Sequence, residues 1–332
     1  MKHLNRRSVL AATAGTAALV TTTALKSPNQ PSIPITDLND ISILITGCSS
    51  GFGRLMAEYF ARQGATVFAS MRNLPRSEGA ALQTLANQER LKLHVIEIDV
   101  TSDQSVEAGV AEAEAINGRP LDVLVNNAGI GYAGPIELQD MLATKLIFET
   151  NVFGPHRVSR AILPGMRKVK SGLIVNISSQ LGRLISPSTG QYSPTKFALE
   201  AMSEAMGYEL VPHGIEVAII EPGGYPTNVW KNRNKLANEL KERLNYDERA
   251  AYPELVSRMG IEDGSQRRAD PMDIPKLVSE IILMPVGSRP LRAEVHPGRK
   301  PQTVINRVTS QVQVEWLGES IYGPWIKDVH NV

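Results

Sequence analysis

The run Ile41-Ser-Ile-Leu-Ile-Thr46, followed by Gly47-Cys-Ser-Ser-Gly51-Phe-Gly53, decides how the rest of this chain is read. The first part is short and almost wholly apolar, the pattern of a strand covered on both faces. The second part places three glycines in seven residues, and Arg54 to Gln63 then follows a helical pattern. Glycines permit a tight turn and let backbone N–H groups approach a phosphate at a helix N-terminus, where the helix dipole favours negative charge. The spacing Gly-x-x-x-Gly-x-Gly is a variant of the dinucleotide fingerprint Gly-x-Gly-x-x-Gly. Taken alone, the loop is equally a tight strand-to-helix turn. Its position between a strand and a helix gives it weight.

The same alternation continues outward. Gly64 to Ser70 and Leu91 to Ile98 read as strands, separated by a helix over Ser77 to Gln88. A helix over Ser102 to Ile116 leads to the strand Leu121 to Val125, which ends in Asn126-Asn-Ala-Gly129. A long helical stretch spans Met141 to Leu163, followed by the strands Gly172 to Ser179 and Ile215 to Ile220, with Leu291 to Gly298 as the last strand. Apolar strands joined by helices of this length predict a single doubly wound α/β domain: a seven-stranded parallel sheet with helices on both faces and ligands at the carboxyl edge.

Two further features carry chemistry. The second strand runs into Met71-Arg72, where an acid would bind ribose hydroxyls. Arg72 either pairs with a 2′-phosphate, which favours NADP with NAD as the second choice, or is a solvated strand-end charge. Farther on, Tyr192-Ser-Pro-Thr-Lys196 places a phenol and an ammonium four residues apart, on one helix face. The ammonium there favours the ionised phenol and makes Tyr192 an acid or base for work near neutral pH. Pro194 lies between them, so the helix is expected to begin close to Tyr192, since proline is tolerated in a first turn.

These residues, taken in order, resemble the short-chain dehydrogenase/reductase family. The marks are Thr46-Gly47-x-x-x-Gly51-x-Gly53, Asp99, Asn126-Asn-Ala-Gly129, Asn151, Ser179, Tyr192-x-x-x-Lys196 and Pro222-Gly223 with Thr227, over roughly residues 40–300. The resemblance implies a Rossmann fold and an oxidoreductase acting between a nicotinamide and an alcohol or carbonyl substrate. It implies Tyr192 as acid/base, Lys196 as the group that lowers its pKa and meets the nicotinamide ribose, Ser179 orienting the substrate oxygen, and Asn151 holding a water in a proton relay. For the cofactor it implies Gly47, Ser49, Ser50, Gly51, Phe52 and Gly53 at the pyrophosphate and Arg72 at the adenosine ribose. Asp99 and Val100 would lie at the adenine, Asn126, Ala128 and Gly129 beside the cofactor, and Pro222, Gly223 and Thr227 around the nicotinamide. It also implies a homo-oligomer, with contacts through helices near Met141–Leu163 and Tyr192–Leu210. A non-catalytic NADP(H) sensor is the alternative; it has no need of the four catalytic-type residues.

Composition sets the outer limits. The net charge is +1 with 35 basic and 34 acidic residues, and no basic stripe points to a nucleic acid. One cysteine, Cys48, permits no intrachain disulfide and reads as a packing residue. The six histidines are scattered, and no metal site is expected. Residues 1–35 read as an export signal and linker: a basic start with Arg6-Arg7, an apolar run from Ala11 to Leu25, then Lys26-Ser-Pro. The paired arginines resemble a twin-arginine signal to the periplasm. A non-functional signal would leave the protein cytoplasmic, and the run is too short and too rich in Ala and Thr for a stable membrane span. The domain proper is 36–332. A polar insertion at about 225–268, with a helix near Lys235 to Leu244, is a lid or a surface excursion. Asp270-Pro271 opens a capped helix, and the tail with Trp316, Tyr322 and Trp325 wraps onto the sheet or onto a partner.

Overall fold

The computed structural model describes residues 37–332. The expected export signal lies outside the described residues. Strand β1 is Ser42–Ile45, and Ile43, Leu44 and Ile45 are all fully buried. The reason is the two-sided cover. Ile43 and Ile45 point to one apolar layer, with Met56, Phe60, Leu82 and Ile274, while Leu44 joins the other, with Val106, Val158, Ile162 and Met166.

The elements alternate along the chain. After β1 come α1 (Gly51–Arg62), β2 (Thr66–Met71), α2 (Ser77–Glu89), β3 (Leu93–Glu97), α3 (Asp103–Asn117) and β4 (Val123–Asn126). Then follow α4 (Met141–Phe148), α5 (Gly154–Val169), β5 (Gly172–Ile177), α6 (Tyr192–Leu210), β6 (Ile215–Pro222) and the insertion helices α7 (Val229–Arg243), α8 (Tyr246–Ala251) and α9 (Pro253–Ser257). The chain ends with α10 (Asp273–Leu283), β7 (Arg292–Val295), α11 (Gln302–Leu317) and α12 (Gly323–Val329). The seven strands are parallel in the order β3-β2-β1-β4-β5-β6-β7, as the sequence pattern predicts. The order reverses between β1 and β4, which opens a crevice at their carboxyl ends.

Three elements differ in detail from the sequence reading. The stretch Met141–Leu163 is not one regular helix, because a π-helical turn at Glu149–Phe153 separates α4 from α5. Pro155, in the first turn of α5, has no N–H to continue the ladder. The Asn151 side chain instead ties this turn to the chain after β4, at Ile130. The helix after Asp270 starts at Asp273 without a side-chain cap, and the Asp270 carboxylate accepts from Met272 N. The helix expected near Lys235 to Leu244 starts earlier, at Val229.

The tail folds onto the sheet edge, held by polar bonds more than by its aromatic rings. Asn306 donates to Glu221 and Glu294 at 2.7 and 2.8 Å, whereas Trp316 is 73% exposed. Beneath it Arg292, buried on β7, pairs with Glu200 at 2.8 Å, Glu204 at 2.6 Å and Glu221 at 3.7 Å. Removing that one cation leaves Glu200 and Glu204 without their counter-charge beside Glu221, which burial already pushes up to about 8. Arg292→Met is expected to destabilise the fold by about 3–5 kcal/mol, read as a fall in the urea midpoint; an unchanged midpoint would mean that the cluster is solvated.

Candidate active site

The glycine loop is sewn to the chain after β4. Thr46 Oγ1 accepts from Asn127 N and Ala128 N, both at 3.0 Å, and Asn127 Nδ2 donates to the carbonyls of Thr46 (2.8 Å) and Gly47 (3.2 Å). Cys48 N reaches Ser70 O on β2, and the Cys48 side chain is wholly buried, with burial pushing its thiol up. No room is left for side chains at two of its glycines. A Cβ on Gly53 would stand 2.4 Å from both Asn127 Nδ2 and Gly47 O, and Gly47 has a φ of +74°. The first turn of α1 carries no side-chain cap and no carboxylate, and Ser49 and Ser50 are partly accessible at its mouth. This cradle fits a pyrophosphate.

The remaining expected cofactor residues divide. Arg72 is exposed at the end of β2 and, among the described residues, has no ion-pair partner, so its guanidinium can meet a phosphate. Thr227 stands against the loop, its Cβ 3.6 Å from where a Gly51 Cβ would be. Pro222 ends β6, and Gly223 N donates to Val295 O. Gly129 borders both Asn151 and Lys196. Others make internal contacts. Phe52 packs edge-on against Tyr225 at 5.5 Å, Val100 packs against Gly154, and Asp99 caps Thr101 at 2.7 Å. Asn126 turns its side chain inward, donating to Asn176 Oδ1 (2.8 Å) and Ser159 Oγ (3.2 Å), so only its backbone can border a cofactor.

The four expected catalytic residues converge at the carboxyl ends of β4 and β5. Tyr192 is the first residue of α6, which places Pro194 in the first turn, as its chemistry requires. Ser179 follows β5 and caps the short turn Gln180–Gly182, accepting from Leu181 N at 3.1 Å. Asn151 is fully buried; its Nδ2 donates to Ile130 O (2.9 Å) and Thr195 Oγ1 (3.1 Å), and Thr195 Oγ1 in turn donates to Tyr192 O (2.7 Å). Its amide therefore sets the start of α6, and the carboxamide nitrogen already holds two protein partners.

Electrostatics here differ from the sequence reading. Lys196 Nζ is buried, donates to Ile177 O at 2.9 Å, and sits 5.7 Å from the centre of the Tyr192 ring. Burial lowers its own pKa to about 8, against the pull of Glu200. Burial likewise pushes the Tyr192 phenol up, while the Ser179 hydroxyl and the Arg233 guanidinium draw it down. Arg233, from the insertion helix α7, is thus a further cation acting on the phenol, one the spacing did not point to. Four contributors were missed in the sequence: Thr46 and Asn127, which lie inside the quoted motifs as loop holders, Thr195, and Arg233, whose partner is remote in the chain.

Comparison with known proteins identifies the family and the fold. A family model described as short chain dehydrogenase matches residues 42–238. The chain is 34% identical to a 3-ketodihydrosphingosine reductase of Bacteroides thetaiotaomicron over 255 residues, covering 77% of this chain and 87% of that protein. A short-chain dehydrogenase from Streptomyces avermitilis superposes with a TM-score of 0.65 at 32% identity, over 83% of this chain and 96% of that one. A gluconate 5-dehydrogenase from Burkholderia cenocepacia, solved with NADP and tartrate, gives 0.55 at 27% identity over 62% of this chain and 81% of that one.

The buried lysine has a measurable cost. Its charged form is disfavoured in the fold, so the penalty is fully present below about pH 8 and fades as pH rises toward 10.5. Lys196→Met is therefore expected to raise stability at pH 7, by about 3 kcal/mol at most, and the gain is expected to shrink at pH 10. Denaturant midpoints at the two pH values check this, and a loss of stability at pH 7 would refute it.

Proposed function

The chain belongs to the short chain dehydrogenase family and is an oxidoreductase using a nicotinamide cofactor; from that premise we propose that it interconverts an alcohol and a carbonyl with NADP as the preferred cofactor and Tyr192 as the acid/base. The observation that carries this reading is the convergence of Tyr192, Ser179, Lys196 and Asn151 beside a glycine cradle in which Gly47 and Gly53 admit no side chain. A bound nicotinamide supplies or receives the hydride. The chain's own residues handle the oxygen. Tyr192, held neutral by burial, gives its proton to the carbonyl oxygen as that oxygen gains charge, and takes it back from the alcohol in the reverse direction. The Ser179 hydroxyl orients the same oxygen, and the Asn151–Thr195 bonds hold the backbone of Tyr192 at the start of α6.

Arg72 supports the NADP preference, since an exposed guanidinium at the end of β2 can take a 2′-phosphate as a bidentate partner. NADPH is expected to bind more tightly than NADH, and Arg72→Asp to reverse the order; equal affinities in titrations of the wild-type protein would overturn the role given to Arg72. Tyr192→Phe is expected to cut kcat by about 10³-fold while leaving cofactor affinity within a factor of about two. Retained turnover would move the acid/base role to another group.

A further inference from the structure

The insertion places a second cationic group in the pocket, Arg233, beside the phenol that its charge draws down. Arg233 reaches in from α7, and its stem and the Tyr192 ring flank one small space. A side chain on Gly131 would begin 3.6 Å from Tyr192 Cδ2 and 3.8 Å from Arg233 Cγ and Cδ. Arg233 Nε donates to Tyr132 O at 3.2 Å, which orients the fork. The guanidinium lies 5.4 Å from the centre of the Trp230 ring, and that of Arg267 lies over the same ring at 4.6 Å. Trp230 is itself fixed, its indole N–H donating to Tyr225 O at 2.7 Å.

Two guanidiniums over one indole repel each other. Among the described residues no carboxylate is within ion-pair distance of Arg233; the carboxylate in this cluster, Glu262, stands 3.8 Å from Arg267 and acts on Arg233 only at longer range. Burial and the Arg267 charge both disfavour the Arg233 cation. A guanidinium does not shed its proton to relieve this. What relieves it is an anion, and the two terminal nitrogens match a carboxylate in the bidentate geometry.

We propose that Arg233, backed by Arg267 across Trp230, binds a carboxylate of the substrate, so that the enzyme acts on an oxo acid or hydroxy acid whose acid group lies close to the reacting carbon. This deepens, and rests on, the alcohol/carbonyl reading. The acid group and the carbonyl oxygen would be held from opposite sides of the same space, one by the lid and one by Tyr192 and Ser179. The lid then closes best on a substrate that neutralises it, which links recognition to the exclusion of water.

The test compares straight-chain 3-oxo acids, short and long, with their methyl esters, using the full chain and NADPH or NADH. Wild-type protein is expected to favour the acid over its ester by at least about tenfold in kcat/KM, and Arg233→Met to bring that ratio near one. Arg233→Lys, which keeps the charge but loses the fork, is expected to fall between. Neutral esters or ketones turned over as well as the acids would overturn the proposal while leaving the dehydrogenase reading intact. That wild-type ratio decides even if Arg233→Met does not fold. Weaker NADPH binding by Arg233→Met, with the acid-to-ester ratio unchanged, would assign Arg233 to the cofactor and equally overturn it. Calorimetric binding of a 3-oxo acid that depends on Arg233, with no carbonyl turned over, would uphold the anion site and refute the dehydrogenase reading.

Discussion

The site depends on the seam between β1 and β4. These strands are paired neighbours in the sheet, but the chain leaves them in opposite directions, so the loops that follow them must be joined by other bonds. Thr46 and Asn127 join them. A hydroxyl accepts from two backbone amides of the β4 loop, and a carboxamide returns bonds to two carbonyls of the glycine loop. These bonds press the two loops so close that Gly47 and Gly53 admit no side chain. The glycines are therefore required twice, once for the positive φ of the turn and once for the approach of another backbone. The absence of a side-chain cap on α1 belongs to the same design, since a cap would occupy the amides a phosphate needs.

Helix α6 extends this order through the molecule. Tyr192, Lys196, Glu200, Glu204 and Tyr208 recur every fourth residue, so they form one slowly turning polar stripe over about 24 Å. The stripe starts at the phenol and passes through Lys196 to Glu200 and Glu204, which share Arg292. It ends at Tyr208, bonded to Glu204 and to His330 near the C-terminus. Glu221 and Asn306 join from β6 and α11. The C-terminal helices thus cover an ionic cluster that would otherwise meet water, a role their sequence did not show because its polar anchors, Gln302 and Asn306, look like surface residues.

How much could be read from the sequence follows from how local each signal is. Strands β1 to β6 were visible as mainly apolar runs, and the glycine loop and Tyr192-x-x-x-Lys196 as spacings, because each is written within a dozen residues. The direction of a side chain across the sheet is not local. Asn126 looked like a cofactor neighbour, yet its side chain joins Asn176, which donates to Ser203, in a buried polar chain between β4, β5 and α6. The π-helical turn at Glu149–Phe153 was equally hidden, since it arises where Asn151 trades helix regularity for bonds to Ile130 and Thr195. Arg233 belongs to the insertion, where periodicity shows a helix but not what the helix faces.

The relation between Tyr192 and Lys196 shows the same limit in energetic form. Four-residue spacing brings the two side chains to one face, and from that alone the ammonium should acidify the phenol. In the folded pocket the ammonium is held by Ile177 O, and burial erodes the lysine's own charge. Burial also outweighs the groups that draw the phenol down, so Tyr192 stays protonated through neutral pH. The pocket is therefore set, before any ligand enters, in its proton-donating form, the form that carbonyl reduction uses. Ionising the phenol would require enough positive charge near it to outweigh its burial. Arg233 already contributes from α7, an element remote from Tyr192 in the chain, which is why no local spacing could announce it.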